Sequence, residues 1–366
     1  MALLALAPAC GFSSSPGGEG GPIDAGRMCY GTIVPICFPT SAVPTTVKTL
    51  VTSQIDTDLT GPGSACDQNN EQQLTYCVVA GAGLSLPSGM TLSARGSKPL
   101  VLVSTGAMEL LGRIDVGSHQ GGMPQLRGAG ANPTAAGACS FEVPPVAATM
   151  GGGGAGASLG TQGGAGGDQG TPPAGGGHAG SNLDTPPKLL RGGCPGGDGS
   201  VISTAAPAAG GDGGGAIALV AVLQIRVSAT INASGGGGHG GAAGAANGGG
   251  GGGSGGMIVF DSSQPLMLGA GVKLWANGGG GGQGSSTTID GGAGGESGDP
   301  GTSALGARSP GAGGLGGDGS VGTMLGGKGV NGIADGGGGG GGGGGFIHAP
   351  GLTDPAAISP RSSDPR

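Results

Sequence analysis

The residues with most chemistry to offer in this 366-residue chain are its seven cysteines. Cys10 follows Met1 to Ala9, MALLALAPA, an apolar stretch that ends in small residues. That is the layout expected where a bacterial lipoprotein signal ends at a cysteine that is lipidated and becomes the mature N-terminus. The cationic stretch that should precede it is missing, and a start further upstream would supply it. With Cys10 lipidated, the remaining cysteines are Cys29, Cys37, Cys66, Cys77, Cys139 and Cys194. None has the CxxC spacing of a zinc or redox site, and an even set in a chain with little core points to disulfides in an oxidising, exported setting. Pairing of sequence neighbours (29 with 37, 66 with 77, 139 with 194) is the simplest arrangement, although sequence alone leaves the pairing open.

Other motif matches have to be set against 98 glycines, which make such matches cheap. Gly252 to Gly256 spells a nucleophile elbow around Ser254, without the strand-then-helix context that exposes a catalytic serine. Gly322 to Gly329 approaches a phosphate loop at Lys328, with Gly329 where magnesium would need Ser or Thr. Gly163 to Asp168 and Gly313 to Asp318 begin like calcium nonapeptides, but no nine-residue period develops. His119, His178, His239 and His348 are scattered and read as solvent-facing loop residues, and Trp275 reads as a cap over a thin core. Asp56 and Asp58 share one side of a strand, with no third acid in register to make a carboxylate groove. The expectation is therefore no catalytic residue, no cofactor and no metal site.

The elements that must position these residues come from three stretches that align with one another: 100–118, 217–234 and 258–277. Leu100 falls on Ile217, Leu102 on Leu219, Met108 on Ile225, Leu110 on Val227 and Ile114 on Ile231. The third copy fits with a bulge of about two residues at its central turn. Apolar and polar residues alternate at period two, so each copy is a strand pair that needs a neighbour to bury its inner face. The architecture expected is all-β: a right-handed parallel β-solenoid whose rungs include these repeats, with a β-sandwich as the alternative. The inward residues would be those just aligned, with Ile258, Phe260, Leu268 and Leu274 from the third copy. Val47 to Ile55 also alternates and reads as one strand, and Cys77 to Ala80, Leu84 to Leu86 and Met90 to Ala94 as shorter ones.

Between the repeats the chain is nearly all glycine. Glycine and proline together make about a third of the chain, the level at which low-complexity structure becomes the prior; collagen is excluded because the glycines lack a strict period of three. The organisation expected is a partial lipoprotein signal over 1–10, a flexible linker over 11–28, and a β cap with the first repeat over 29–118. A Gly-rich insertion follows over 119–215, then the second and third repeats over 216–277, a second long insertion over 278–345, a final strand over 346–349 and a disordered tail over 350–366. The insertions are either disordered, since glycine loses most backbone entropy on ordering, or packed as polyproline-II-like strands. The ten consecutive glycines Gly336 to Gly345 are expected to be flexible unless the final strand docks them.

Charge narrows the partners. Asp and Glu number 21 against 14 Lys and Arg, with no basic cluster, so nucleic acid is not expected. The most apolar run, Ala216 to Val227, is broken by Gln224 and Arg226 and is shorter than a membrane span.

In order, Cys29-Tyr30-Gly31, Ile55 to Asp58, Pro99 to Leu102, Leu190 to Gly196, Ile231 to Gly236, Gly253 to Val259 and Ala276 to Gly281 resemble a group of glycine-rich surface lipoproteins of myxobacteria and their relatives. That group is often labelled PE-PGRS-like for its glycine content. The resemblance covers roughly residues 29 to 349. It implies an exported, envelope-associated protein with no established activity. The combined expectation is a non-catalytic protein of the cell envelope, at the outer membrane surface or secreted. It would be held to the membrane through an N-terminal lipid and act as a structural, matrix or adhesive component with cell-surface polysaccharide or matrix as partner. A β-helix that binds or cleaves polysaccharide is the alternative.

Overall fold

The computed structural model describes residues 26–121, 126–134, 139, 151–170, 175–183, 185–202, 206–350 and 358–360. Cys10, the stretch expected to be a signal and nearly all of that expected to be a linker lie outside the described residues. The chain enters as an antiparallel hairpin, β1 (Arg27–Tyr30) with β2 (Ile36–Pro39). Two short strands follow, β3 (Val47–Thr49) and β4 (Ser53–Asp56). Four sets of strands then repeat the same order. They are β5 (Cys77–Gly81), β6 (Gly83–Leu86) and β7 (Thr91–Arg95); β8 (Leu100–Ser104), β9 (Met108–Leu110) and β10 (Arg113–Asp115); β11 (Ala216–Ala221), β12 (Ile225–Val227) and β13 (Thr230–Asn232); and β14 (Met257–Ser262), β15 (Met267–Leu268) and β16 (Lys273–Trp275). β17 (Phe346–His348) and β18 (Ile358–Ser359) end the series.

Each set gives one strand to each of three sheets, in the orders β17-β14-β11-β8-β5, β15-β12-β9-β6-β3 and β18-β16-β13-β10-β7-β4. All pairings within these sheets are parallel. A β-sandwich is built from antiparallel sheets, so that alternative is not the observed arrangement; the parallel sheets are compatible with a β-solenoid. The registers reproduce the sequence alignment: Ile217 pairs with Leu100 and Ile258, Ile225 with Met108, Val227 with Leu110 and Leu268, and Ile231 with Ile114 and Leu274. These side chains lie in or against one buried cluster fed by all three sheets. Glu109 and Arg226 point outward and pair at 3.5 Å on the surface.

Two expectations change. The alternating stretch from Val47 to Ile55 is not one strand: it breaks at Leu50, which turns into the core while Val51 faces solvent, and its halves join different sheets. The tail is not wholly without structure, because Ile358 stacks on Leu274 as β18 and is buried against the core.

The first sheet is buried on both faces. Its inner residues join the main cluster, while Val78, Ala80, Val101, Val103, Ala218, Val220 and Val259 pack outward against Ile36 and Phe38 of the hairpin and against Leu159 and Leu190. Parallel strands covered on both faces read as continuous apolar runs, as LVLV (100–103) and AIALVA (216–221) do. Asp261 locks the hairpin onto this face. Its carboxylate accepts the backbone N–H of Thr32 at 2.6 Å and of Ile33 at 2.7 Å, and the Thr32 hydroxyl at 3.1 Å. Gly31 makes the turn at φ +87°, where a Cβ would press on the Val34 carbonyl.

The glycine-rich insertions leave the chain after β10, β13 and β16 and return before β11, β14 and β17. All three therefore emerge from one corner, between the third sheet and the first, and their described parts pack as a single bundle. Gly336 to Gly345 runs through its middle. The run donates backbone hydrogen bonds to Gly151, Gly154 and Ala157 from residues 337, 340 and 343, and to Ser285, Gly282, Gly279 and Ala276 from 336, 339, 342 and 345. From 338 and 341 it donates to Val330 and Gly327. Partners thus repeat every third residue, the periodicity of a polyproline-II helix. Three further segments close around the run: a Cβ on Gly339, Gly342 or Gly345 would overlap the carbonyls of Gly250, Gly253 or Gly256, one on Gly340 that of Gly164, and one on Gly341 that of Asp318. Six neighbours leave no gap for a side chain. The expected flexibility of this run is corrected accordingly: β17 docks on β14, and the run is buried and hydrogen-bonded.

Candidate functional site

The bundle meets the third sheet through a cluster of ionisable groups. In register across that sheet stand Asp115 of β10, Asn232 of β13, Trp275 of β16 and Ser359 of β18, all buried on its outer face. Asp115 accepts hydrogen bonds from Asn232 Nδ2 at 3.1 Å, from Gly117 N–H at 3.2 Å and from Arg113 Nη2 at 3.2 Å. His119, four residues on, sets Nε2 3.1 Å from Asp115 and Nδ1 2.6 Å from Glu296, which belongs to the insertion 278–345. Glu296 also accepts the backbone N–H of Gln120.

The imidazole is gripped by carboxylates at both nitrogens. The Asp115 hydrogen bond and then the Glu296 one push its pKa up to about 9 despite partial burial, which opposes them, so it is a cation at neutral pH. Burial alone would raise the Asp115 carboxyl, but His119, Arg95 and Arg113 outweigh it and hold the carboxyl below its ordinary value. Arg95 donates to the Gly117 carbonyl beside them. With both imidazole nitrogens engaged, His119 has no free atom with which to attack or deprotonate a substrate. The constellation is a joint.

Glu296 begins a short strap across the same face. The Trp275 indole N–H donates to the Ser297 carbonyl at 3.3 Å, Asn277 Nδ2 donates to Ser297 Oγ at 2.8 Å, and Lys273 Nζ pairs with Asp299. Trp275 is therefore buried beneath the strap on the outer face, not placed as a cap over the inner core. Of the histidines read as solvent-facing, His119 sits in the cluster and His348 is buried in β17, whereas His178 is exposed.

The cysteines join as Cys29–Cys37 across the β1–β2 hairpin, Cys66–Cys77 at the start of β5, and Cys139–Cys194 within the first insertion. Cys66–Cys77 anchors a loop that covers the edge of β5, where Asp67 N–H donates to the Val78 carbonyl and Ala80 N–H donates to Asp67. The Arg191 guanidinium lies 3.0 Å from Cys194 Sγ and 3.4 Å from Cys139 Sγ. Ser254 is fully buried, its hydroxyl accepting the Cys194 N–H at 2.8 Å, which is a structural post. Asp58 accepts the N–H of Ser97, and Asp56 that of Asp58, so this acid pair shapes turns. Asp168 accepts the N–H of Gly176, and Asp318 binds Arg308 at 2.8 Å. Among the described residues no group of three or more His, Cys, Asp or Glu side chains is placed to hold a metal ion.

The outer layer of the bundle carries a cleft of about 280 Å³ bordered by Leu315, Met324, Leu325, Val330, Arg308 and Lys328. Met324 and Leu325 are 65% and 58% exposed. Within the glycine passes a Cβ would overlap a neighbouring carbonyl, and Met324 and Leu325 lie outside those passes. The sequence carries a signal for this layer: Gln162, Ala165 and Asp168, then Ala312, Leu315 and Asp318, stand every third residue with glycine pairs between them. Those side chains face outward while most of the intervening glycines are buried.

No family model, no curated protein and no solved structure matches this chain.

Proposed function

We propose that the chain is a non-catalytic, exported protein of the cell envelope, anchored through lipid on Cys10 and acting as a structural, matrix or adhesive surface element. Its fold on this reading is a right-handed parallel β-solenoid that carries the glycine bundle as a side structure. The observation that supports it most is the construction of the bundle. Its interior is backbone on backbone, its polar groups are spent on one another, and what it presents outward is a scatter of short and aliphatic side chains around the cleft at Met324 and Leu325. Such a body suits display and contact. Chemistry would require polar groups converging on a pocket, and the His119 cluster is closed on itself while Asp318 at the cleft is paired with Arg308. The three disulfides fit an extracellular or otherwise oxidising setting.

Expression of the full chain in a bacterium with lipoprotein processing, followed by cell fractionation and a screen of the purified protein against polyuronates and other glycans, tests this reading. It expects detergent-phase partition that Cys10→Ser abolishes, and no glycan turnover. Turnover abolished by replacing a single carboxylate would replace it with an enzyme.

A further inference from the structure

We infer that Glu296, His119 and Asp115 form a proton-controlled latch that fastens the strap 296–299 over Trp275. Four observations carry the inference. The strap touches the third sheet through Glu296 on His119 and on the Gln120 N–H, Ser297 on Trp275 and Asn277, and Asp299 on Lys273. His119 bridges the sheet and the strap from both ring nitrogens. The groups facing it are Asp115 and Arg113 from β10, Arg95 from β7 and Glu296 from the strap, with neutral Asn232 from β13. Trp275, the one tryptophan of the chain, is 3% exposed beneath the strap.

The gating follows from counting donors. A protonated imidazole has two N–H groups and satisfies both carboxylates; a neutral one has a single N–H and leaves one carboxylate facing a lone pair. Asp115 keeps Asn232, Arg113 and the Gly117 N–H whatever His119 does. Glu296 keeps the Gln120 N–H. In either neutral tautomer one carboxylate faces a lone pair, so the continuous bridge from Asp115 through His119 to Glu296 is broken and its hold on the strap weakens, while Asp115 stays paired within the sheet. This inference is independent of the envelope reading, since it concerns how two parts of the chain hold together.

The test uses the full chain with disulfides intact. Acrylamide quenching of Trp275 fluorescence is followed as pH is raised, with far-UV circular dichroism recorded on the same samples. The latch predicts a shielded Trp275 at neutral pH and a rise in quenching with a midpoint near pH 9, at unchanged far-UV signal. Glu296→Gln should move that midpoint towards the ordinary histidine value, and His119→Gln should remove the transition. A quenching profile that is flat through this range, one identical in His119→Gln, or one that coincides with loss of the far-UV signal would each overturn the latch. Should His119→Gln fail to fold, the imidazole titration read by NMR in wild type and Glu296→Gln decides. Equal pKa values in the two would likewise overturn it.

Discussion

Gly345 turns its Cα towards the carbonyl of Gly256, and two residues later Ile347 pairs with Ile258 at the same sequence offset. The glycine run and β17 are thus one continuous strand in one register, first in the bundle and then in the sheet. The same continuity holds where β13 and β16 run out into the insertions: Ala233 N–H donates to Trp275, Gly235 to Asn277 and Gly238 to Gly280. The sheet supplies the fixed ends that glycine, with its large loss of backbone freedom, needs in order to stay extended. It also explains why a bundle with no side-chain core sits beside a core that has one.

Gly342→Ala places a methyl group on the Gly253 carbonyl, whereas Gly298→Ala meets open space. The first should destabilise the protein by about 3 kcal/mol or abolish folding, as overpacking without room to relax does. The second should change stability by less than about 0.5 kcal/mol. Denaturant titration of the two variants checks the contrast, and equal effects would contradict the packing described.

Leu219 is fully buried between Leu102 and Phe260. Leu219→Ala should cost about 2–5 kcal/mol through lost burial and the cavity left behind. Replacing Arg226, exposed on the neighbouring sheet, with Ala should cost at most about 1 kcal/mol. Thermal melts of both variants measure the difference.

Asp261→Asn removes the charge that accepts three hydrogen bonds from the hairpin turn at Thr32 and Ile33. Charge-assisted bonds of this kind are worth about 1.5–3 kcal/mol each, so amide exchange at residues 31–34 should quicken while exchange in β8 and β11 stays slow. Unchanged protection at Thr32 would show that the hairpin is held by packing alone.

Breaking Cys139–Cys194 by double replacement with Ser releases a long loop, its ends 55 residues apart. Chain-entropy reasoning gives a loss of about 4 kcal/mol if native geometry is retained. Melts of the oxidised protein and the double variant test the figure.

The cluster at His119 sets a pH window. Its pKa is raised from 6.5 in the open chain to about 9 in the fold, so its contribution is full below 6.5, declines above it and is lost past 9. Asp115 works from the other side: its folded value is depressed, so its contribution is present above the ordinary 3.8 and lost as pH falls through the lower folded value. The stability difference between wild type and His119→Gln should therefore shrink as pH rises from 6.5 to 9 and be gone beyond it. A difference that stays constant across that range would show that His119 is not held as a cation.

The sheet registers were legible because period-two alternation in three long copies leaves only one alignment that buries Leu100, Ile217 and Ile258 together. Strands as short as β15 and β18 carry too few residues to show a period. The outer apolar face of the first sheet is harder to read: alternation marks Leu100, Leu102, Ile217 and Leu219 as inward, and what covers Val101 and Ala218 on the other face comes from residues far away in sequence, such as Ile36, Phe38 and Leu159. At the His119 cluster the partners come from residues 115, 119 and 296, and no local pattern joins the last to the others. The bundle is hard to see in sequence because its period of three runs only along each short pass and vanishes in the all-glycine centre, so no collagen-like period extends through the chain.

Threefold periodicity sets a rule for how such insertions can change length. Adding or removing three residues in an outer pass, such as the one through Leu315 and Asp318, shifts the chain by one turn and keeps every side chain pointing outward. Adding one or two rotates the remainder by a third or two-thirds of a turn, driving Leu315 or Asp318 into the carbonyls of the next pass. The ten glycines at the centre obey no such phase, since every face of that run is alike.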